Sequence, residues 1–178
     1  ITDRQAPFWV QLVNYLQYFD WQWSRSLMGR QGWLAPARLP FTLLFLGLGV
    51  YGAIQHKRRD RVSFAYFGTL FATVSLGLII YLNFKYGYGQ SQAMGLSLDV
   101  AEVRERDYFF IVSFSLWGLW AGVGLTALWL ALQQRLGERP KAALATSPVL
   151  AIAFIPLFLN YTYATRAGDY AARNWAYN

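Results

Sequence analysis

The chain has 178 residues, of which 56% are hydrophobic, 19% are aromatic and 14% are charged, and its formal net charge is +7. Such a composition is typical of a membrane protein. Its Lys and Arg residues lie mostly in short connections beside apolar segments, where anionic lipid headgroups are nearer partners than nucleic acid, so nucleic-acid binding is not expected. The absence of cysteine excludes a disulfide, a thiolate nucleophile and a cysteine-ligated metal.

Residues 1–38 are predicted to form an outer segment built around one amphipathic helix. Between Phe8 and Leu27 the apolar positions recur every three or four residues, with amide side chains between them. The rings of this helix are Trp9, Tyr15, Tyr18, Trp21 and Trp23. Such rings suit the headgroup layer, where a ring is buried while its polar edge stays wet, so we predict an interfacial helix. A helix packed on the chain's own membrane spans is the alternative.

Four apolar segments follow, at residues 39–55, 62–84, 108–132 and 148–161. The first and last are short for a bilayer that needs ~20 residues. The long central segments must be helices, because an isolated apolar strand cannot satisfy its backbone groups in hydrocarbon. The sequence therefore predicts an all-α, polytopic membrane protein with about four transmembrane helices at residues 39–161. Residues 162–178 are predicted to form an outer C-terminal segment.

Basic residues are distributed unevenly between the connections. The first connection holds Lys57, Arg58, Arg59 and Arg61, and the third holds Arg135, Arg139 and Lys141. Because cytoplasmic loops carry an excess of Lys and Arg, both connections are expected on the cytoplasmic side. The N-terminal segment, the loop at residues 85–107 and the C-terminal segment are then expected outside.

Small and aromatic residues within the spans predict helix packing. Gly118 and Gly122 form a small-xxx-small step on the third span, which permits close approach of a second helix. Rings at helical spacing are more often packing residues than ligand contacts. The candidate interface or packing residues are Trp9, Trp21, Trp23, Trp117, Trp120, Gly118 and Gly122.

No cofactor is predicted, although contact of the third-span tryptophans with a lipid, quinone or pigment is left open. His56 is the only histidine, and an imidazole nitrogen can bind a chlorin or a haem. It lies at the end of the first span beside a run of three basic residues, where an interfacial polar side chain is the favoured interpretation.

The loop before the third span holds the only carboxylate cluster in the chain. Its carboxylates are Asp99, Glu102, Glu105 and Asp107, interleaved with Arg104 and Arg106. General acid–base chemistry or a divalent metal site is conceivable there. The favoured interpretation is structural: Asp99 and Glu102 have the spacing of a capping box, Glu102 with Arg106 is an i,i+4 pair, and Asp107 can cap the third span.

Three stretches carry a family resemblance. They are Asn14-Tyr-Leu-Gln-Tyr-Phe-Asp-Trp-Gln-Trp23, Glu102-Val-Arg-Glu-Arg-Asp-Tyr-Phe-Phe110 and Arg166-Ala-Gly-Asp-Tyr-Ala-Ala-Arg-Asn-Trp-Ala-Tyr-Asn178. Together they resemble the bacterial DUF2723 family of polytopic membrane proteins, which is similar to eukaryotic TMEM260-type O-mannosyltransferases. The resemblance spans nearly the whole chain, and its second stretch is the most specific part. It implies a multi-pass protein of the bacterial inner membrane, with periplasmic N- and C-terminal segments.

The resemblance also implies a piece of a GT-C-like glycosyltransferase, which transfers a sugar from a lipid-phosphate donor to an acceptor outside the cytoplasm. In such enzymes the catalytic acid lies in the first outer loop, and relatives continue beyond the position of Asn178 into a soluble region. Both parts lie outside this chain, so no catalytic residue is carried over to it. Ile1 is not an initiator methionine and no secretory signal follows it, so we expect a piece of a longer polypeptide.

Two functional hypotheses follow. The first is a non-catalytic accessory or scaffolding subunit, derived from a truncated DUF2723 protein, that packs against a larger bacterial membrane complex in the lipid bilayer. That complex could be photosynthetic, respiratory or a translocation assembly. The second is a fragment of a GT-C-like membrane glycosyltransferase. The accessory hypothesis is preferred, because the catalytic loop is missing while the apolar surface still needs helical neighbours.

Overall fold

The structure is a computed structural model that describes residues 4–27, 36–137 and 141–165. Within those ranges the regular elements are helices, and extended backbone pairs only at an isolated bridge between Tyr86 and Ala101. The predicted all-α class is therefore confirmed. The resembling stretch at residues 166–178 and Arg139 of the third connection lie outside the described residues.

Eight α-helical segments make up the described chain. They are α1 (Phe8–Ser24), α2 (Leu39–Arg59), α3 (Arg61–Ala72), α4 (Leu78–Leu82), α5 (Tyr88–Ala93), α6 (Ile111–Leu136), α7 (Ala142–Thr146) and α8 (Ile155–Ala164). A π-helical turn, Thr73–Gly77, joins α3 to α4, and a 3-10 helix, Ser147–Phe154, joins α7 to α8. Shorter 3-10 helices lie at Arg25–Leu27, Pro36–Arg38, Leu98–Val100 and Asp107–Phe110.

Four helical stretches are long and apolar enough to cross a membrane, and they confirm the predicted count. They are the first span Pro36–Arg59, the second Arg61–Leu82, the third Asp107–Leu136 and the fourth Ala142–Ala164. The prediction that the outer two are short is wrong, because they contain 24 and 23 residues. The apolar segments of the sequence end at polar residues, whereas the helices continue through those residues. In the fourth span, for example, the Thr146 hydroxyl donates to the Ala142 carbonyl at 2.8 Å and is satisfied within the helix.

A single residue, Asp60, connects the first two spans. Its backbone is extended, with φ −146° and ψ 101°, which ends α2 and reverses the chain. Its carboxylate then accepts the backbone N–H groups of Val62 and Ser63, both at 3.0 Å, and caps the start of α3. The first and second spans therefore form one tight helical hairpin.

The bundle is built on the close packing of α2 against α6. At Gly52 an added Cβ would lie 1.8 Å from the carbonyl oxygen of Trp120, and at Gly124 it would lie 2.1 Å from that of Leu48. Only glycine permits such contact between two backbones. Gly52 on α2 and Gly124 on α6 therefore bring the two backbones into contact.

The small-xxx-small step predicted on the third span does not take part in this packing. A Cβ added at Gly118 or Gly122 would meet no heavy atom within 4 Å. Gly124, which makes the contact, lies about 200° around the helix from Gly122, since each residue of an α-helix turns by about 100°. Gly118 and Gly122 therefore face open space, and they do not pack against another helix within the described residues. Their place in an interface with a helix of another chain stays a prediction.

The two ends of the bundle differ in character. One end, which we call the α1 face, carries α1, the loop at residues 83–107 and the end of α8. Long-range contacts join them: Gln11 donates to the Phe84 carbonyl at 2.6 Å, and the backbone N–H of Arg25 donates to Asn160. The other end, the basic face, carries Lys57, Arg58, Arg59, Arg61 and Arg135. The N-terminal helix and the loop between the second and third spans therefore lie at the same end of the bundle, as expected.

Helix α1 exists as predicted, but its buried side is not its most apolar side. Gln11 and Asn14 are almost fully buried, whereas Trp9 and Leu16 are exposed. The helix packs on the chain's own spans through Phe19, Trp21 and Trp23, which join a core cluster with residues of α2 and α6. Buried amides are found here because each meets a polar partner, as Gln11 does at Phe84.

Candidate functional site

Tyr18 anchors α1 to the loop before the third span. Its phenol is fully buried and donates to the Glu105 carboxylate at 2.7 Å. It accepts from the Asn14 amide and from the backbone N–H of Arg106, both at 3.0 Å. Burial, followed by the adjacent Glu105 charge, raises the pKa of Tyr18 above its ordinary value. The phenol therefore stays protonated and acts as a fixed donor.

Glu105 is used on both oxygens. While Oε2 accepts from Tyr18, Oε1 accepts the backbone N–H of Gly89 at 2.8 Å. The carboxylate thus ties the loop to the start of α5 and to α1 at once. Each oxygen of Glu105 thus holds one structural donor, and the side chain serves as a link between α1, α5 and the loop.

Glu102 is buried and forms the predicted i,i+4 pair with Arg106, at 2.6 Å. Its other oxygen accepts the backbone N–H of Lys85 at 2.9 Å, beside the bridge between residues 86 and 101. The predicted capping box with Asp99 is wrong, because Asp99 lies inside a short 3-10 helix and Glu102 binds Lys85 instead. Arg104 is exposed and lies over the ring of Tyr108, 5.6 Å from its centroid.

The prediction that Asp107 caps the third span is wrong. Its carboxylate pairs with Arg25 of the N-terminal segment at 2.9 Å, across 82 residues of sequence. The Arg25 guanidinium also lies over two rings, 4.3 Å from the centroid of Trp21 and 4.0 Å from that of Tyr163. This stacking between two aromatic rings fixes the guanidinium in one orientation.

A cleft of 240 Å³ opens beside this ion pair on the α1 face. Its lining residues are Trp21, Gln22, Arg25, Asp107, Tyr108, Ile111, Asn160 and Tyr163. Asn160 closes the cleft by donating to the Gln22 carbonyl at 2.7 Å. The cleft combines a cation, a carboxylate, amides and rings, so it has the chemistry to bind a small polar ligand.

Sequence reasoning missed Arg25 and Asn160. No local pattern marks Arg25, because its partners Asp107 and Tyr163 lie far away along the chain. Asn160 did carry a signal, because an amide inside an apolar span indicates an interhelical contact. No spacing rule, however, connects residue 160 to residue 25.

A second buried ion pair lies where the first span begins. Arg38 is fully buried, and its Nε donates to the Asp20 carboxylate at 2.6 Å. The Thr42 hydroxyl donates to the other oxygen of the same carboxylate. Among the described residues, the Arg38 Nη1 and Nη2 atoms have no hydrogen-bond partner. The pair ties α1 to α2.

The predicted packing tryptophans separate into two groups. Trp21, Trp23 and Trp120 are buried, and Trp23 stacks on Phe45 with 4.6 Å between ring centroids. Trp117 donates to the Phe45 carbonyl at 3.1 Å. Trp9 is exposed, so it does not pack within this chain.

His56 is engaged on both ring nitrogens. Trp120 Nε1 donates to Nδ1 at 3.2 Å, which leaves Nε2 to donate to the Ser63 hydroxyl at 3.0 Å. A haem or chlorin ligand needs a free nitrogen lone pair, so this arrangement does not suit His56 to that role. The side chain instead joins α2, α3 and α6 near the basic face.

The described residues contain no group of three or more metal-ligating side chains. Comparison with protein-family models, with curated proteins and with solved structures finds no match to this chain.

Proposed function

We propose that this chain is a non-catalytic accessory subunit that packs against other integral membrane proteins of a larger complex. The observation that carries the proposal is the use of three loop carboxylates in structural contacts. Glu102, Glu105 and Asp107 bind an arginine, a phenol or backbone N–H groups of the chain itself. Carboxylates that bind the chain's own donors in this way support its fold.

The surface of the spans supports the same proposal. In the second and fourth spans only 11% and 6% of the most apolar window is buried inside the chain. Phe158, Leu157 and Tyr81 are among the exposed side chains. Helices that bury so little surface on their own chain are held in place by neighbours, which are lipids or other membrane proteins.

Exposed apolar side chains outside the spans favour a protein neighbour. Leu98 is 80% exposed and Val103 is 92% exposed, and both lie in the loop on the α1 face. Hydrocarbon does not cover a loop beyond the span ends, so water would meet these side chains in the isolated chain. A protein neighbour on the α1 face would remove both side chains from water.

Native mass spectrometry of the chain purified from its own membranes in mild detergent tests this proposal. We expect a complex of fixed stoichiometry with at least one other integral membrane protein. The double variant Leu157→Ala, Phe158→Ala on the fourth span should weaken that complex. Leu43→Ala, at an exposed position on the first span, is the matched control and should leave it intact. A chain that is recovered alone, in variable ratio to every other protein, would refute the proposal.

The alternative is a fragment of a GT-C-like glycosyltransferase, and the cleft at Arg25 and Asp107 is the observation that favours it. A cation and a carboxylate beside two rings are suited to a phosphate and a sugar ring, respectively. Retention of a polyprenyl-phosphate-linked sugar by the purified chain, lost in Arg25→Gln, would favour this alternative over the accessory subunit.

A further inference from the structure

Two grooves on the membrane-facing surface meet at one arginine. The larger, of 480 Å³, runs along α6 from Leu130 to Gly118, beside Gln55 of α2. The smaller, of 290 Å³, lies between α2, α3 and α6, against Phe67. Arg59 lines both grooves.

A ridge separates the grooves. Leu119 and Val123 line both of them, and both side chains project from α6 with more than a third of their surface exposed. The floor of the larger groove is open because Gly122 has no side chain, and a Cβ there would meet nothing within 4 Å. The Thr126 hydroxyl in this groove already donates to the Gly122 carbonyl at 2.9 Å. The groove walls therefore offer apolar contact rather than hydrogen bonds.

The charge of Arg59 is not neutralised by the described part of the chain. Its guanidinium forms no ion pair there, and one oxygen of the nearby Asp60 carboxylate accepts the two backbone N–H groups at the start of α3. Side chains of an α-helix lean towards its N-terminus, so Arg59 reaches from the basic face towards the grooves. An arginine at the end of a membrane span lies at the level of the lipid headgroups, where an anionic phosphate is a suitable partner.

From these observations we propose that the grooves bind one anionic diacyl phospholipid. Its phosphate pairs with Arg59, and its two acyl chains lie on either side of the Leu119 and Val123 ridge. Lys57, Arg58 and Arg61 add to the positive potential around the phosphate. His56 lines the smaller groove but supplies no free nitrogen, since both are bonded within the chain.

The shape of the surface favours a lipid over a transmembrane helix of a partner. A helix is a single rod about 10 Å across, and it would rest on the ridge rather than enter both grooves. A diacyl lipid presents two narrow chains joined at one charged headgroup. It therefore matches two grooves that meet at one cation, and this site is independent of the function proposed above.

Lipid retention by the purified protein tests the site. The protein is stripped with detergent, incubated with phosphatidylglycerol or with phosphatidylcholine of the same acyl chains, and examined by native mass spectrometry. We expect one phosphatidylglycerol per chain, retained about tenfold better than phosphatidylcholine, and loss of that preference in Arg59→Gln. Arg58→Gln is the charge-matched control, because Arg58 lines neither groove. Equal loss in both variants would overturn the site, since it would indicate diffuse attraction.

A second pair of variants tests the grooves themselves. Gly122→Leu places a side chain in the larger groove, where its Cβ meets nothing within 4 Å, and should displace the lipid. Gly47→Leu, at another open glycine outside the grooves, should retain it. Lysophosphatidylglycerol, with one chain, should bind more weakly than the diacyl lipid, and inorganic phosphate should not compete. The proposal would be overturned if Gly122→Leu bound the lipid as well as the unmodified protein does. It would also be overturned if Gly122→Leu lost a bound protein and kept the lipid.

Discussion

Tyr18 and Glu105 lie 87 residues apart, and the phenol of the first donates to the carboxylate of the second at 2.7 Å. This contact joins the N-terminal helix to the loop before the third span. It also engages the Glu105 carboxylate in a structural hydrogen bond. The pair is consequently a structural junction on the α1 face.

Replacement of Tyr18 by Phe should destabilise the protein. The substitution leaves Glu105, Asn14 and the backbone N–H of Arg106 without the oxygen that they share. Loss of hydrogen bonds to buried groups costs about 1–3 kcal/mol. At about 2–4 °C per kcal/mol for a chain of this size, thermal unfolding in detergent should shift by several degrees. Tyr66→Phe is the control, since Tyr66 is exposed and lies on the second span; equal melting of both variants would contradict the assignment.

The raised pKa of Tyr18 predicts a loss of stability at alkaline pH. In the unfolded chain the phenol ionises near its ordinary pKa of 10.0, whereas in the folded protein it stays protonated. The unfolded state therefore binds fewer protons above about pH 10, and stability falls as pH rises through that value. Melting temperature measured from pH 8 to pH 11 should fall less steeply in Tyr18→Phe. A residual slope is expected, because burial raises the pKa of Tyr15 as well.

Gly52→Ala should separate α2 from α6. The added Cβ would lie 1.8 Å from the Trp120 carbonyl oxygen, which belongs to the backbone and cannot turn aside. Overpacking of this kind costs about 1–3 kcal/mol. Gly47→Ala is the matched control on the same helix, because its Cβ meets nothing within 4 Å. Without a clash, Ala favours the helix by up to about 1 kcal/mol, so Gly47→Ala should melt at the same temperature or higher. A stable Gly52→Ala protein would refute the close contact.

Asp20→Asn should destabilise the protein more than a double variant that removes both members of the Asp20–Arg38 ion pair. Arg38 is fully buried, and Asp20 is its charged partner at 2.6 Å. Removal of one member of a buried pair costs about 3–5 kcal/mol, because the other charge stays buried without compensation. The double variant Asp20→Asn, Arg38→Met should recover part of that loss. Chemical or thermal unfolding of the two variants compares them directly, and a double variant less stable than Asp20→Asn would contradict this account.

The sequence predicted the number of membrane-crossing helices, because hydropathy responds to composition, which the bilayer constrains along the whole helix. It did not predict the ends of the first and last spans. It could not predict which glycine of α6 meets α2. Gly118 and Gly122 satisfy the spacing for helix packing as well as any pair, yet the contact is made by Gly124 on another side of the helix. The spacing of small residues identifies a helix face that could pack closely. The position of the neighbouring helix decides which face makes the contact.

The candidate site was less accessible to prediction for a similar reason. The i,i+4 pair of Glu102 and Arg106 was predictable because both residues lie within one local segment. The partners of Glu105 and Asp107 lie on other elements, with Tyr18 on α1, Gly89 on α5 and Arg25 in a 3-10 helix, at separations that no local rule addresses. A loop rich in alternating charge therefore indicates ion pairs, without indicating which residues complete them.

The packing of α2 on α6 has a consequence for how the protein is made. Phe45 and Trp117, which hydrogen-bond across these two helices, are 72 residues apart in the chain. At a synthesis rate of about 5–20 residues per second, the contact residue of α6 is made roughly 4–14 s after that of α2. During that interval the glycine surface of α2 faces lipid or the insertion machinery. Among the four described spans, the hairpin closed by Asp60 is made before the third and fourth spans, which follow it along the chain.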